Sequence, residues 1–518
     1  MEETRVDPRP VLLAVLTGAL LTGAVQTGLA ARPAAPLVQG LANGAVTTSA
    51  VFDQVSVTAH DPNAVRLLLD GKPLPVVREG NRLVLPKLRL PEGPHTLTAR
   101  LGRLEAFPQS DVTRTFTVDD TPPQVSLAPV EATDLHEPVT VRGSASGAQR
   151  VNINGSEVNV DPDGAFSTTL PSPPGSIALS AVDEAGNVAS TEVTVQAHHP
   201  GMRGVHMTAL AWASPALREP VLQLARDGLI DTVELDIKDE DGEIGYDSQV
   251  PLAREIGAAK GYYDARAALD ELHGMKIRVV GRLVAFRDPI LARASWDSGH
   301  HDRLVQTADG QAWASGYGDY TFTNPANQEV RDYNTQLATE AAALGFDDIL
   351  YDYVRRPEGS LDRMRLPGLQ GTPEQAITEF LAQNRDAVHA HGAFLGASVF
   401  GIAITRPTQI AQDIPAMSHE VDYVAPMVYP SHWGAGEYGL DDPEAAPHDI
   451  TARSLADFAK QARQGGAVTV PWLQAFSMHI PYGPAEIKAQ IAAAHENGMD
   501  SFLLWNAACR YDPAALGG

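Results

Sequence analysis

The second half of the sequence alternates strand-like and helix-like runs, and this alternation constrains the fold more than any other feature. Amphipathic stretches such as DARAALDELHGM from Asp264 separate eight apolar β-type runs. These runs start at Val205, Asp231, Ile277, Asp348, Phe394, Asp422, Val468 and Ser501. Strands that alternate with helices form parallel sheets. Eight such units predict a closed α/β barrel, the (β/α)8 or TIM barrel, over residues 201–518.

The region between about Leu37 and Gln196 has short β-type runs separated by Gly, Pro, Asn and Asp, as in an all-β sandwich. The hairpin signal LLLDGKPL recurs as NINGSEV, and PEGPHTLTA recurs downstream as PPGSIALSA. We therefore predict a multidomain chain with two immunoglobulin-like sandwiches, residues 37–119 and 121–197, before the barrel. A spacer role is favoured for them, and wall binding or carbohydrate binding are the alternatives.

The first 31 residues carry Arg5 and Arg9, then an apolar run from Val11, then small residues up to Ala30. This order is typical of a secretory signal peptide, and we expect cleavage after about Ala30. The alternative is an uncleaved anchor, in which residues 11–31 tether the chain to a membrane. Both interpretations predict an extracytoplasmic protein that is secreted, periplasmic or associated with the cell envelope.

Charge excludes some partners. The chain has 39 basic and 64 acidic residues and a net charge of −25, which disfavours nucleic acid as a partner. A neutral or cationic substrate fits this balance better, although the acidic excess also has a simple role in solubility. We predict no cofactor and no metal site, because His300-His301 lacks a third ligand and the DEDG loop lacks the final calcium-binding glutamate.

Strands two to four end in charged residues, where the active groups of such barrels lie. Alternation predicts that Asp236 and Lys238 point inward, with Asp239 just past the rim. Asp352 falls on the inner face of strand four near the barrel mouth. We predict Asp352 as nucleophile or base and Asp239 or Asp236 as its partner acid, while Asp288 or a loop acid stays open.

Two basic residues accompany these acids, Arg282 on strand three and Arg355 just beyond strand four. Together with Lys238 they are candidate substrate-binding residues. The alternative is a structural ion pair of Asp236 with Lys238 or Arg282.

The later strand ends carry aromatic and amide residues instead of carboxylates. Aromatic faces stack on sugar rings, and amides bind hydroxyl groups, so these residues are candidate sugar ligands. They are Tyr429, His432, Trp472, Gln474, Trp505 and Asn506. The alternative for any single tryptophan is a place in the barrel core.

At these residues a family resemblance becomes plain. DIKDEDGEIGY, RLVAFRDPILA, GFDDILYDYVRRP, PMVYPSHW, PWLQAF and LLWNA resemble, in order, the motifs of the bacterial family called the putative glycoside hydrolase domain. The resemblance runs from Gly204 to Tyr511 and implies a (β/α)8 barrel that cleaves O-glycosidic bonds. Strand four is also similar to that of chitinase-like barrels, but Val354 stands where those carry a catalytic glutamate.

We therefore expect an extracytoplasmic glycoside hydrolase that acts on a polysaccharide or oligosaccharide through two carboxylates. The alternative is a non-catalytic carbohydrate-binding or envelope protein on a barrel scaffold, favoured by the missing glutamate and by the lack of carboxylates on strands five to eight.

Overall fold

The computed structural model describes residues 34–101, 111–132, 134–135 and 137–517. These residues form two compact units: one runs to Thr121 and includes Glu184–Asn187, and the other comprises Pro122–Asp183 and the chain from Val188 onward. No helix within these ranges is long and apolar enough to span a membrane. The predicted signal segment, residues 1–31, lies outside the described residues.

The region before the barrel is all β, as predicted. One four-stranded sheet is formed by Leu37–Gln39, Ser56–Thr58, Arg82–Val84 and Val77–Glu79. A five-stranded sheet contains Ala45–Thr47, Val112–Val118, Gly93–Leu101, Val65–Leu69 and Lys72–Pro73. Buried apolar residues such as Val57, Leu83 and Leu97 form their common core.

The second β module repeats this plan. Its three-stranded sheet contains Gln124–Leu127, Val139–Ser146 and Ala165–Leu170. Its four-stranded sheet contains Ser156–Val158, Arg150–Ile153, Ser176–Val182 and Val188–Thr194. Glu131–Ala132 and Gln196–Ala197 form a small two-stranded sheet. The repeated hairpin motif occupies equivalent turns, because Asp70-Gly71 and Asn154-Gly155 all have positive φ. Two successive positive-φ residues define the tight hairpin turn that Asn-Gly and Asp-Gly favour.

The barrel is closed and parallel, which confirms the predicted fold class. Its strands, numbered 1 to 8 below, are Arg203–Met207, Thr232–Lys238, Arg278–Val284, Asp348–Asp352, Phe394–Phe400, Tyr423–Met427, Val468–Thr469 with Trp472–Gln474, and Phe502–Trp505. Each pairs in parallel with the next, and strand 8 pairs with strand 1.

Helices surround the barrel, and most of them begin at a proline or behind a capping side chain. They are Ala209–Ala213, Pro215–Arg226, Pro251–Glu255, Ala265–Gly274, Pro289–Asp297, Gln328–Leu344, Pro373–His389, Ile414–Ser418, Pro447–Ala462, Pro484–Glu496 and Pro513–Leu516. Proline suits the first helical turn because its missing N–H has no helical partner there. Thr372 illustrates the side-chain cap, since it forms a capping box with Gln375.

The inside of the barrel has an apolar middle and a polar upper end. Val280, Leu350, Ala425 and Leu503 pack within it and are fully buried. This layer supports the charged side chains above it at the carboxyl-terminal ends of strands 2 to 4.

Gly396 on strand 5 tests this packing. A Cβ at Gly396 would lie 2.2 Å from the Tyr423 ring, so Gly396→Ala overpacks the interior and should lower the stability of the barrel by about 1–3 kcal/mol. Gly274→Ala is the matched control, because nothing lies within 4 Å of its added Cβ. Differential scanning calorimetry should show a lower melting temperature for Gly396→Ala alone, and equal melting temperatures would contradict this packing.

Candidate active site

The upper ends of strands 2 to 4 bring one arginine and three acidic side chains together. Arg282 donates from Nη1 to Asp236 Oδ1 at 2.8 Å and from Nε to Asp352 Oδ2 at 2.9 Å. Both terminal nitrogens donate to Glu240 Oε2 at 3.2 Å, and Nη2 lies 2.8 Å from Asp352 Oδ2. A guanidinium has five N–H donors, so these three carboxylates accept all of them.

A fourth acid lies beneath. Glu234 Oε1 is 4.0 Å from Arg282 Nε, and its Oε2 is hydrogen-bonded to His206 Nδ1 at 2.5 Å. The His206 ring stacks on Trp505 with 4.0 Å between ring centroids, and the Arg282 guanidinium lies 4.9 Å from the same indole. We refer to Arg282, Glu234, Asp236, Glu240 and Asp352 as the Arg282 cluster.

Exposure increases from the bottom of the Arg282 cluster to its top. The Glu234 side chain is 0% exposed and Asp236 2%, whereas Asp352 is 7% and Glu240 35% exposed. Glu240 and Asp352 therefore face the barrel opening, and Asp236 lies just below them.

The same arrangement gives the carboxyl groups different affinities for protons. The charge of Arg282 lowers the pKa of Glu240 to about 2. Burial raises the pKa of Asp236 to about 7 despite Arg282, and burial also raises the pKa of Glu234 well above its usual range. Near neutral pH, one acid at the opening is thus ionised while Asp236 below it retains a proton for much of the time.

Lys238 does not point into the barrel, so its predicted orientation is wrong. Asp236 pairs with Arg282 in register, but Lys238 pairs with Leu283, which leaves a β-bulge between Asp236 and Lys238. Its ammonium group is fully buried and donates to Asp288 at 2.8 Å and to Asn334 of a surrounding helix at 2.9 Å. The bulge reverses the inward alternation on which the prediction relied.

Asp239 and Asp288 both have local structural tasks. Asp239 Oδ1 accepts the backbone N–H groups of Asp241 and Glu243, which fixes the turn after strand 2, and burial raises the pKa of Asp239 to about 6. Asp288 caps the helix Pro289–Asp297 and pairs with Lys238. The acid that the bulge brings to Arg282 is Glu240, and sequence reasoning missed it.

Aromatic rings line the opposite side of the opening. Tyr429, His432 and Phe476 contact one another with 5.3 to 6.1 Å between ring centroids, and Trp505 is half-buried beside Arg282. Tyr429 is 6% exposed, and His432 is exposed. Four of the predicted groups, Asp352, Tyr429, His432 and Trp505, therefore lie at the opening.

Three other predicted sugar ligands serve the barrel itself. Trp472 is buried and donates from Nε1 to Ser398 Oγ at 3.0 Å, so it fills the core. Gln474 is fully buried and bonds the backbone at Ser431 and Phe476. The Asn506 amide donates to the carbonyls of Ala475 and Arg510. Protein groups occupy these polar atoms in the structure, and contact of the three residues with substrate stays a prediction.

Arg355 likewise lies behind the opening. Its guanidinium is fully buried, pairs with Glu358 at 2.9 Å and packs 4.2 Å from the Phe400 ring and 5.0 Å from the Tyr353 ring. Tyr353 has a φ of 46°, a conformation that is uncommon for a bulky residue, and its N–H donates to Asp352 Oδ1 at 2.7 Å. Backbone strain of this kind clusters at functional sites.

His206, Glu234 and Asp236 offer ligand atoms within 4.8 Å of one another, which sequence reasoning also missed. A histidine with two carboxylates is a set of donors that could hold a divalent metal. Here, however, Asp236 bonds Arg282 and Glu234 bonds His206, so an arginine already supplies the positive charge at this position. Burial lowers the pKa of His206 to about 4, which keeps this ring neutral.

A closed (β/α)8 barrel with carboxylates beside aromatic rings at its carboxyl-terminal face has the organisation of a carbohydrate-active hydrolase. Residues 204–511 match a family model described as "Putative glycosyl hydrolase domain". The match covers more than half of the chain, and the chain belongs to this glycoside hydrolase family. No curated protein matches the chain.

Among solved structures, a hypothetical protein from Ruminiclostridium thermocellum is 32% identical, covers 37% of this chain and 96% of its own, and has a TM-score of 0.34. The PgaB (BpsB) glycoside hydrolase domain from Bordetella bronchiseptica is 14% identical, and the match covers 60% of this chain and 95% of that domain, with a TM-score of 0.44. The Bacillus cereus spore cortex-lytic enzyme SleL is 10% identical, and the match covers 64% of this chain and 78% of that enzyme, with a TM-score of 0.36.

The raised pKa of Asp236 predicts a pH effect on stability. Its folded-state pKa of about 7 exceeds the ordinary value of 3.8, so folded protein binds the extra proton and loses stability as pH rises from about 4 to 7. The expected slope is on the order of 1 kcal/mol per pH unit. Asp236→Asn keeps an acceptor for Arg282 and should remove this contribution to the pH dependence of the unfolding free energy, as measured by urea unfolding at several pH values. An unchanged pH dependence would contradict the raised pKa of Asp236.

Proposed function

We propose that this protein hydrolyses glycosidic bonds of a polysaccharide at the Arg282 cluster, with Asp352 as nucleophile or base and Asp236 as proton donor. The observation that carries this proposal is that one guanidinium binds Asp352 and Asp236 side by side, while burial raises the pKa of Asp236 to about 7. Glycoside hydrolysis needs such a pair, because one group must give a proton to the leaving oxygen while the other attacks or activates water.

The orientation of Asp352 supports its role. One carboxylate oxygen accepts the Nε–H of Arg282 and lies 2.8 Å from its Nη2, and the other accepts the Tyr353 N–H. A nucleophile works only when it is held close to its reactive position, and these contacts hold Asp352 at the end of a barrel strand. Glu240, in contrast, lies in a turn, and its contacts with Arg282 are 3.2 Å long.

Those longer contacts suit Glu240 to a different task. They are longer than the contacts of Arg282 with Asp236 and Asp352, and Glu240 is the most exposed acid of the Arg282 cluster, so an entering sugar displaces Glu240 first and gains access to Asp236 beneath it. The ionised Glu240 then stabilises the positive charge that develops on the sugar ring in the transition state.

The aromatic wall supports a carbohydrate chain as substrate. Apolar C–H faces of sugar rings stack on aromatic faces. Trp505 is half-buried at the opening, where His206 and the Arg282 guanidinium already lie against its ring. Tyr429, His432 and Phe476 continue the aromatic surface away from the Arg282 cluster. A site with several aromatic contacts fits more than one sugar unit, which favours a polysaccharide or oligosaccharide.

Substitution of the acids tests these roles. Asp352→Asn and Asp236→Asn should each lower kcat by about 100-fold to 10,000-fold, because a general acid or base contributes that much to the rate. The assay is reducing-end release from cell-wall and exopolysaccharide fractions. Asp239→Asn is the matched control and should keep near wild-type activity, because asparagine retains the acceptor oxygen that fixes its turn.

Rescue by azide separates Asp352 from Glu240. A small anion replaces a missing carboxylate nucleophile, so azide should restore activity to Asp352→Gly but not to Glu240→Gly. Full activity of Asp352→Asn would contradict the role of Asp352. Sugar binding without turnover by the wild-type protein would contradict the proposal and favour a carbohydrate-binding protein.

We also propose that the protein acts outside the cytoplasm. The order of positive charge, apolar run and small residues in the first 31 residues supports export. Amino-terminal sequencing of the protein isolated from the organism that produces it should show that the mature chain begins just after about Ala30. A cytoplasmic protein that begins at Met1 would contradict this proposal.

A further inference from the structure

Arg287, unlike Arg282 and Arg355, forms no ion pair with an acidic side chain among the described residues. It lies just past strand 3, and its Nη1 donates to the Tyr353 hydroxyl at 3.0 Å. The guanidinium lies 4.4 Å from the Tyr317 ring and 5.1 Å from the Tyr353 ring. Its buried Nε has no hydrogen-bond partner.

This arrangement is costly unless a ligand completes it. A partly buried cation loses hydration, and aromatic faces compensate for only part of that loss. By comparison, Arg282 contacts three carboxylates and Arg355 pairs with Glu358. Arg287 is thus a positioned cation with free N–H donors.

Arg287 also adjoins the proposed reaction centre. Its partner Tyr353 directly follows Asp352 and donates its N–H to that carboxylate. The charge of Arg287, after the larger effect of Arg282, contributes to the lowered pKa of Glu240. Tyr317, whose ring the Arg287 guanidinium contacts, is 40% exposed. A substituent on a sugar bound at Asp352 therefore lies within reach of Arg287.

We infer that Arg287 binds an anionic group of the substrate, so that the proposed hydrolase acts on an acidic polysaccharide. A planar guanidinium binds carboxylate, sulfate or phosphate oxygens through paired N–H donors, and these anions are the chemistry that the site recognises. This inference rests on the proposed function for the position of the sugar.

The net charge of −25 argues for a neutral or cationic substrate, but that argument is weaker at this position. Charges more than about 8 Å apart in water are largely screened at physiological ionic strength. A direct contact with Arg287 is screened much less, so the local cation decides which group is accepted.

Binding to the full-length Asp352→Asn protein tests this inference without turnover. A glycan array with uronate-bearing, sulfated, phosphorylated and neutral glycans should show preference for an acidic class and identify its anion. For the best uronate ligand, reduction of its carboxyl groups to alcohols should weaken binding about tenfold or more, as expected for loss of an ionic hydrogen bond. For a sulfated or phosphorylated ligand, enzymatic removal of the anion serves the same purpose.

Variants assign the effect to Arg287. Adding Arg287→Gln to Asp352→Asn should weaken binding of the acidic glycan about tenfold and leave binding of its neutral form unchanged. Arg293→Gln is the matched control, because Arg293 also lies on a tyrosine ring, 3.7 Å from Tyr320, but is not among the charges that shift Glu240. This control should bind like the parent protein.

Preference for neutral glycans, no preference, or equal binding by Arg287→Gln would overturn the inference. If Arg287→Gln lacks a normal melting transition, Arg287→Lys replaces it and should show intermediate affinity, because lysine keeps the charge without paired donors. Acidic preference without hydrolysis of these glycans by the wild-type protein would contradict the proposed function alone, so the two failures are distinguishable.

Discussion

The buried guanidinium of Arg282 is the constraint on which the upper end of the barrel depends. A charge removed from water must be matched by opposite charges with good hydrogen-bond geometry. Arg282 satisfies this requirement with Asp236 of strand 2, Asp352 of strand 4 and Glu240 of the turn after strand 2. Asp236 and Glu240 share this cation but differ in burial, so the pKa of Asp236 is raised and the pKa of Glu240 is lowered. The contact that stabilises the barrel interior is therefore also the source of its proposed chemistry.

A single β-bulge determines which acid joins that arginine. Without it, Lys238 would follow Asp236 onto the inner face, and a lysine would lie in the cluster. With it, Lys238 turns toward Asp288 and a surrounding helix, and the chain returns to Arg282 at Glu240. Arg287, which also follows strand 3, lies against the rings of Tyr317 and Tyr353 without an ion pair among the described residues.

The sequence alone predicted the eight strands, the two β modules and the position of Asp352, because hydrophobic periodicity and repeated turns are local signals. It could not predict the roles of Trp472 and Trp505. Both point inward, and only the depth of each strand end decides that Trp472 is buried while Trp505 borders the opening. Glu240 was missed because a bulge has no reliable sequence signal here. His206 was missed because its partner Glu234 lies on the neighbouring strand, a contact set by register.

We infer that a sugar chain is cleaved above the Arg282 cluster, beside the aromatic surface of Tyr429, His432 and Phe476. The most direct measurement is a crystal structure of the Asp352→Asn protein with a bound oligosaccharide from a polysaccharide that the wild type degrades. We expect a sugar ring against this aromatic surface, with the scissile oxygen within hydrogen-bond distance of Asp236 and the anomeric carbon facing residue 352. An oligosaccharide bound only elsewhere, with Glu240 still on Arg282, would contradict it.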